Sequence, residues 1–169
     1  PRTCITANTS QNASGLLAVG AVNEACLLAQ LDANALTHIR AIKIGVLANS
    51  TQVTAVHHYL KEKMRTTPVV CDPVFSCSLD GCFQAEDPSF LDTFIENLLP
   101  LCDVLTPNIQ EAEIISGVSI RTVNDIEHAA ARILAMGVKS IVIKGGHADF
   151  YPTDQMIDFC YNSIRIHIY

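Results

Sequence analysis

Tryptophan is absent from these 169 residues, aromatic side chains make up only 6%, and charged side chains only 17%. With apolar residues at 49%, that scarcity of charge is the reverse of what marks a disordered or solvating chain. Positive charge is the scarcer sign, 11 Lys and Arg against 17 Asp and Glu for a net charge of -6. No broad basic surface can then neutralise a phosphate backbone, and nucleic acid is not an expected partner. Long apolar runs are also missing. No uninterrupted stretch approaches the roughly 20 residues that cross a bilayer, and Pro1-Arg2-Thr3 does not open a secretory leader. A cytoplasmic protein without a membrane partner is expected.

The seven cysteines, Cys4, Cys26, Cys71, Cys77, Cys82, Cys102 and Cys160, are an odd set without a C-x-x-C pair. That spacing supports neither a disulfide framework nor a standard zinc site. Small buried hydrophobes are the expectation for most of them. Cys71, Cys77 and Cys82 surround one loop and are the grouping that a metal or thiol chemistry could use. The motifs G-x-x-x-x-G-K-[ST], G-x-G-x-x-G and H-E-x-x-H are all missing, which removes the commonest NTPase, dinucleotide and zincin readings.

What is present is alternation. Strand patterns occur at Arg2–Ala7, Ala41–Gly45, Pro68–Cys71, Asp103–Leu105 and Ser140–Ile143, and a hairpin pattern pairs Met156–Tyr161 with Ile164–Tyr169. Helical patterns fall between them: Val22–Ile39, a helix capped by Ser50 or Thr51, Ser89–Leu99, Asn108–Ser116 and Thr122–Met136. Asn8–Gly15 reads as a polar loop, and the stretch from Asp72 through Pro88 as a long irregular one. Parallel neighbours need crossover helices, so the pattern predicts an α/β fold, a mostly parallel sheet with helices on both faces. Residues 1–169 form one domain, large enough to bury roughly 70% of its unfolded surface. Because the chain starts at Pro1 and stops at Tyr169 on a strand pattern, segments missing at both ends are expected.

In open α/β sheets ligands bind beyond the carboxyl ends of the strands, and polar residues collect there in this sequence. Asn108 and Glu111 share the first turn of a helix, a corner suited to an anion and its metal; an ordinary N-cap explains the same pair. Asp72 follows Val69-Val70-Cys71 and precedes Pro73, placed either to serve a metal or simply to start a turn. Lys144 ends a strand before Gly145 and Gly146, whose missing Cβ atoms allow a phosphate to approach; a rim lysine before a tight turn, with His147 a loop residue, is equally open.

Five segments come in a recognisable order: Ile5-Thr6-Ala7 with Gln11-Asn12, Lys43-Ile44-Gly45-Val46-Leu47, Val69 to Val74, Thr106-Pro107-Asn108 with Glu111-Ala112-Glu113, and Lys144-Gly145-Gly146-His147. Together they resemble the hydroxymethylpyrimidine/phosphomethylpyrimidine kinases of thiamine biosynthesis, of the ribokinase-like superfamily. The resemblance implies ATP- and Mg²⁺-dependent phosphorylation of a hydroxymethylpyrimidine, of its monophosphate, or of both. It assigns Gln11 and Gly45 to the pyrimidine, Asp72 and Glu111 to the metal, and Asn108, Lys144, Gly145 and Gly146 to the nucleotide and its phosphates. A homodimer is expected, because superfamily members are often dimers.

Three departures accompany the resemblance. The family's glycine-rich substrate segment is absent ahead of the first strand. Its Gly-Thr-Gly-Cys stretch is absent too, so the catalytic cysteine is expected beyond Tyr169 and no catalytic residue is assigned within the sequence. Phe75-Ser76-Cys77-Ser78-Leu79-Asp80-Gly81 replaces the family's Met-Val and Ser-Gly-Asp pattern. Two alternatives follow. One is a truncated, non-catalytic remnant that binds a pyrimidine, a nucleotide or a protein partner. The other is a kinase for pyridoxal or a related hydroxymethyl heterocycle.

Overall fold

A computed structural model describes residues 3–12, 15–33, 39–75, 87–146, 157–162 and 166–168. Cys77, Cys82, His147 and the Ser163 corner of the expected hairpin turn lie outside the described residues. The first element is a hairpin, β1 (Ala7–Asn12) against β2 (Gly15–Ala21), with a register irregularity between Ser10 and Gln11. This corrects the expectation from sequence of a strand over Arg2–Ala7 and a loop over Asn8–Gly15. Asn, Ser and Thr have turn chemistry, but an antiparallel partner satisfies the backbone whatever the side chains prefer.

The main sheet runs β3 (Ile42–Ile44), β4 (Val69–Cys71), β5 (Val104–Leu105), β6 (Ser140–Lys144), β7 (Asp158–Asn162), β8 (Ile166–Ile168), in that spatial order. The first four are parallel and the last two antiparallel, the mostly parallel α/β class expected from the alternation. Side chains alternate across it. Ile44, Val69, Cys71, Leu105, Ile141, Ile143, Phe159 and Tyr161 are buried, whereas Val70, Val104, Val142 and Cys160 on the opposite face are half-buried and Lys43 is exposed.

Between the strands lie α1 (Glu24–Ala33), α2 (Ser50–Lys63), α3 (Phe90–Thr93), α4 (Ile109–Ser116) and α5 (Val123–Ala135). A helical period through Val22, Ala25, Cys26 and Ala29 marks the apolar stripe of this segment in sequence, but Ala25, Cys26 and Ala29 are exposed and Leu27 is the buried anchor of α1. In α2 the cap is Asn49, one residue earlier than expected; its Oδ1 accepts from the Gln52 N–H at 2.9 Å. The third helix does not stop at Thr93 but runs on through a π turn, Phe94–Leu98, and a 3-10 turn that takes in Pro100. By contrast α5 follows its sequence closely. Thr122 and Asp125 form a capping box, and Ile126, Ala129, Ala130 and Ile133 make the buried face.

Gln52, 1% exposed, fastens the hairpin to this body. It accepts from the Ala48 N–H at 2.9 Å and donates to the Thr6 and Val22 carbonyls, both at 2.7 Å. Thr6 adds a hydroxyl bond to the Val46 carbonyl at 2.7 Å. The described cysteines are free thiols. Cys71 and Cys102 are fully buried, and a hydrogen bond to Cys102, with burial behind it, holds the Cys71 thiol well above its ordinary range. It is therefore protonated and unreactive, as core filler should be.

At the end of β6, Gly145 meets β7. An added Cβ would stand 2.1 Å from the Ile157 carbonyl oxygen, a contact that only backbone displacement relieves. Gly145→Ala should therefore destabilise the fold by at least the roughly 1–3 kcal/mol typical of overpacking, read from urea unfolding. A change below about 0.5 kcal/mol would show that the β6–β7 junction does not depend on this close approach.

Candidate functional site

Ladder hydrogen bonds fix the starts of three loops on one rim of the sheet. Asp72 N–H donates to the Ile44 carbonyl, Thr106 N–H to that of Cys71, and Lys144 N–H to that of Pro107, each at 2.8 Å. These bonds carry the parallel register past the ends of β4 and β5, so Asp72, Thr106 and Lys144 stand together at the carboxyl ends of their strands. Phe75 anchors the chain just after Asp72, its ring edge-on to Phe90 and Phe94 at centroid distances of 5.9 and 5.2 Å.

The Asp72 carboxylate is shared. Lys144 donates to Oδ1 at 2.8 Å, the Thr106 hydroxyl reaches the same oxygen at 3.3 Å, and the Lys43 ammonium lies 3.2 Å from Oδ2. Partial burial works to raise the Asp72 carboxyl, but the Lys144 and Lys43 ammoniums outweigh it and hold it below the usual carboxylate range. One loop further, Asn108 and Glu111 form a full capping box. The Glu111 N–H donates to Asn108 Oδ1 at 2.8 Å, and the Asn108 N–H donates to Glu111 Oε2 at 2.7 Å. Glu111 is only 6% exposed, and burial pushes its carboxyl above the usual range against the bonds and the lysine that favour its charge. Asn108 also bridges to Lys144 across the sheet.

Asp72, Asn108, Glu111 and Lys144 are thus neighbours on one rim. Of the remaining sequence candidates, Gly145 is buried against Ile157 and its N–H donates to Asp158 Oδ1 at 3.2 Å, while Gly146 is exposed. Gly45 differs. It is exposed, no atom lies within 4 Å of an added Cβ, and it lines a cavity of about 750 Å³ with Thr6, Lys43 and the apolar Leu27, Leu31 and Leu47. Gln11 lies in β1 opposite Leu16. Two rim residues escaped the sequence reading, Lys43 and Thr106. Both stood inside quoted motifs, and the signal that marks them is position: each falls at or beside the carboxyl end of a parallel strand.

Among the described residues no group of three or more His, Cys, Asp or Glu gathers as a metal site would require. Two carboxylates beside two ammoniums fit a different arrangement. Mg²⁺ needs only one or two protein carboxylates when phosphates and water supply its other ligands, so this donor set suits a cation that enters with a polyphosphate.

The architecture is that of ribokinase-like small-molecule kinases. The structure of a phosphomethylpyrimidine kinase from Clostridium difficile superposes with a TM-score of 0.81 at 31% identity, over 98% of this chain and 69% of that one. A Bacillus subtilis pyridoxal kinase solved as an ADP complex superposes with a TM-score of 0.81 at 26% identity, over 98% of this chain and 60% of its own. A family model described as phosphomethylpyrimidine kinase matches residues 1–169, and the chain belongs to that family. Curated relatives named hydroxymethylpyrimidine/phosphomethylpyrimidine kinase include those of Aquifex aeolicus, 39% identical over 64% of this chain, and Bacillus subtilis, 34% identical over 91%. The chain spans about half the length of these relatives, 42% and 57% respectively.

The charge pattern at Asp72 has a pH signature. Because its folded-state carboxyl lies below the unfolded value of about 3.9, it contributes stability above that value and loses it as pH falls through the folded one. The gap in unfolding free energy between wild type and Asp72→Asn should therefore be widest at neutral pH and close progressively below about pH 4. Urea unfolding at a series of pH values measures it. A gap that is constant with pH would mean the two lysines do not hold the carboxylate in solution.

Proposed function

We propose that this chain is part of an ATP- and Mg²⁺-dependent kinase that phosphorylates hydroxymethylpyrimidine, its monophosphate, or both. The observation that carries the reading is the convergence of Lys43, Asp72, Thr106, Asn108, Glu111 and Lys144 on one rim, in a chain of the phosphomethylpyrimidine kinase family. When bound, Mg²⁺-ATP supplies the transferable phosphoryl group, and the protein's task is chiefly to position it and neutralise charge. Lys144 would meet the nucleotide phosphates, with the positive end of α4 behind it. Asp72 and Glu111 would hold the metal, and the glycines Gly145 and Gly146 would flank the nucleotide. Gln11 and Gly45 would serve the pyrimidine. The reading assigns no catalytic base within the 169 residues.

A second substrate has a specific observation behind it. A pyridoxal kinase from Staphylococcus aureus, solved with AMP-PCP and pyridoxal, superposes with a TM-score of 0.80 at 25% identity, over 96% of this chain and 57% of its own. Pyridoxal is accordingly the rival acceptor. The same reading places the protein in the cytoplasm as a homodimer; among the described residues no helix is long and apolar enough to cross a membrane.

The test is Mg²⁺-ATP turnover by the full-length gene product on hydroxymethylpyrimidine, its monophosphate and pyridoxal. Phosphoryl transfer should favour the pyrimidines, and Lys144→Ala should lower kcat by on the order of 10²–10³, the loss typical of one removed charge-stabilising donor. Gly45→Ala should leave stability within about 0.5 kcal/mol, since its methyl meets open space, yet weaken acceptor binding. Equal turnover by wild type and Gln11→Ala would remove the pyrimidine assignment. Absence of turnover on every acceptor, with a pyrimidine or AMP-PCP still bound in calorimetry, would establish the non-catalytic binding reading instead.

A further inference from the structure

We infer that Lys43 is the specificity residue for the phosphorylated acceptor, receiving the phosphate of hydroxymethylpyrimidine monophosphate while Lys144 serves the nucleotide; this rests on the kinase reading above.

Lys43 and Lys144 reach the same carboxylate from β3 and β6, the two ends of the parallel array. Three strand spacings of about 4.8 Å separate those strands, so the ammoniums approach Asp72 from opposite sides. Their surroundings differ. Lys144 is paired through its backbone with Asn108, the N-cap of α4. Lys43 lines the 750 Å³ cavity that Gly45 and Thr6 also line, a volume within the usual range for small-molecule sites. Among the described residues, Lys43 is the side chain that both borders this cavity and touches Asp72.

The charge count points the same way. One carboxylate bonds both ammoniums, and the Glu111 carboxylate accepts from the Asn108 N–H rather than from Lys43. An anion arriving from the cavity finds Lys43 the easier of the two to recruit. Its side chain is 69% exposed against 42% for Lys144, and its contact with Asp72 is the longer, 3.2 against 2.8 Å. Exposed ion pairs of this kind contribute little and exchange partners at small cost. A phosphate dianion offers Lys43 a stronger, charge-assisted partner, whereas the unphosphorylated alcohol offers it none. Lys43 therefore discriminates between the two acceptors and leaves the nucleotide side unaffected.

Isothermal calorimetry on the full-length gene product tests this with hydroxymethylpyrimidine monophosphate, hydroxymethylpyrimidine and AMP-PCP as separate probes. Lys43→Met should weaken the monophosphate at least tenfold and leave the other two ligands within twofold. It should also flatten the dependence of monophosphate affinity on salt. Lys43→Arg, which keeps the charge, should restore most of the loss, and Lys144→Met should weaken AMP-PCP instead. Equal losses for alcohol and monophosphate would mark Lys43 as a structural residue and overturn the inference, as would a loss confined to AMP-PCP or no loss at all. If wild type binds none of the three, the kinase reading itself falls, and this inference with it. Wild-type binding unmoved by Lys43→Met removes the inference alone.

Discussion

A carboxylate held between two ammoniums is the interaction on which the rest of this site depends. Partial burial penalises the Asp72 charge, and the two ammoniums offset that penalty. Lys43 and Lys144 in turn share that one anion from opposite sides. Neither lysine is near Asp72 in sequence. Their meeting requires that β3, β4 and β6 run parallel in a set register, with β5 between β4 and β6. The strands themselves are short, two to five residues, and the ladder bonds that continue past their ends hold the loop residues in line. Fold and electrostatics are thus one constraint: the sheet delivers the charges, and the charges tolerate each other only in the arrangement the sheet imposes.

Legibility in the sequence followed the range of the forces involved. Elements whose identity is set within a few residues were readable. The capping boxes at Asn108 and Thr122, the left-handed Gly117 at the end of α4 and the inner face of α5 all answer to local chemistry. Residues at the carboxyl ends of strands were readable as candidates because parallel sheets place ligands there. What escaped was non-local. The hairpin over Ala7–Ala21 takes its structure from pairing, not propensity, and α1 turns Leu27 inward because of what it packs on. Lys43 was legible only as part of a strand and a motif, and the position of Asp72 is what gives its ammonium a task. Gln52 is the clearest case: a polar side chain in the first turn of a helix reads as surface, yet it is buried because three backbone groups from separate segments need partners.

The glycines divide along the same line. Gly117 is required by its own backbone, at a φ of 67°, and that requirement is visible locally as a helix end. Gly145 is required by a neighbour distant in sequence, the carbonyl of Ile157 just ahead of β7. Gly45 is required by nothing in the protein, for the space around it is open. A small residue facing empty space beside a cavity is the pattern left when the constraint comes from a ligand. The same motif vocabulary therefore covers a structurally required glycine at one end of the rim and one beside an open cavity at the other, and only the surroundings tell them apart.

Glu111 shows why capping and function need not compete. Its carboxylate completes the start of α4 by accepting from Asn108, which would be reason enough for its presence. A cap alone, however, does not need burial, and caps are ordinarily solvated, as Asp125 is in the equivalent box of α5. Burial raises the Glu111 carboxyl while the Asp125 carboxyl, bonded to Thr122, is lowered. The two boxes share a geometry and differ in where they stand. One opens α5 at a solvent-exposed corner; the other lies beside Lys144 and Asp72, where a carboxylate disfavoured by burial is stabilised by any cation that joins it. The rim therefore sets a buried carboxyl beside two ammoniums that share a single carboxylate, and the proposed entry of a cation together with a polyphosphate rests on that combination.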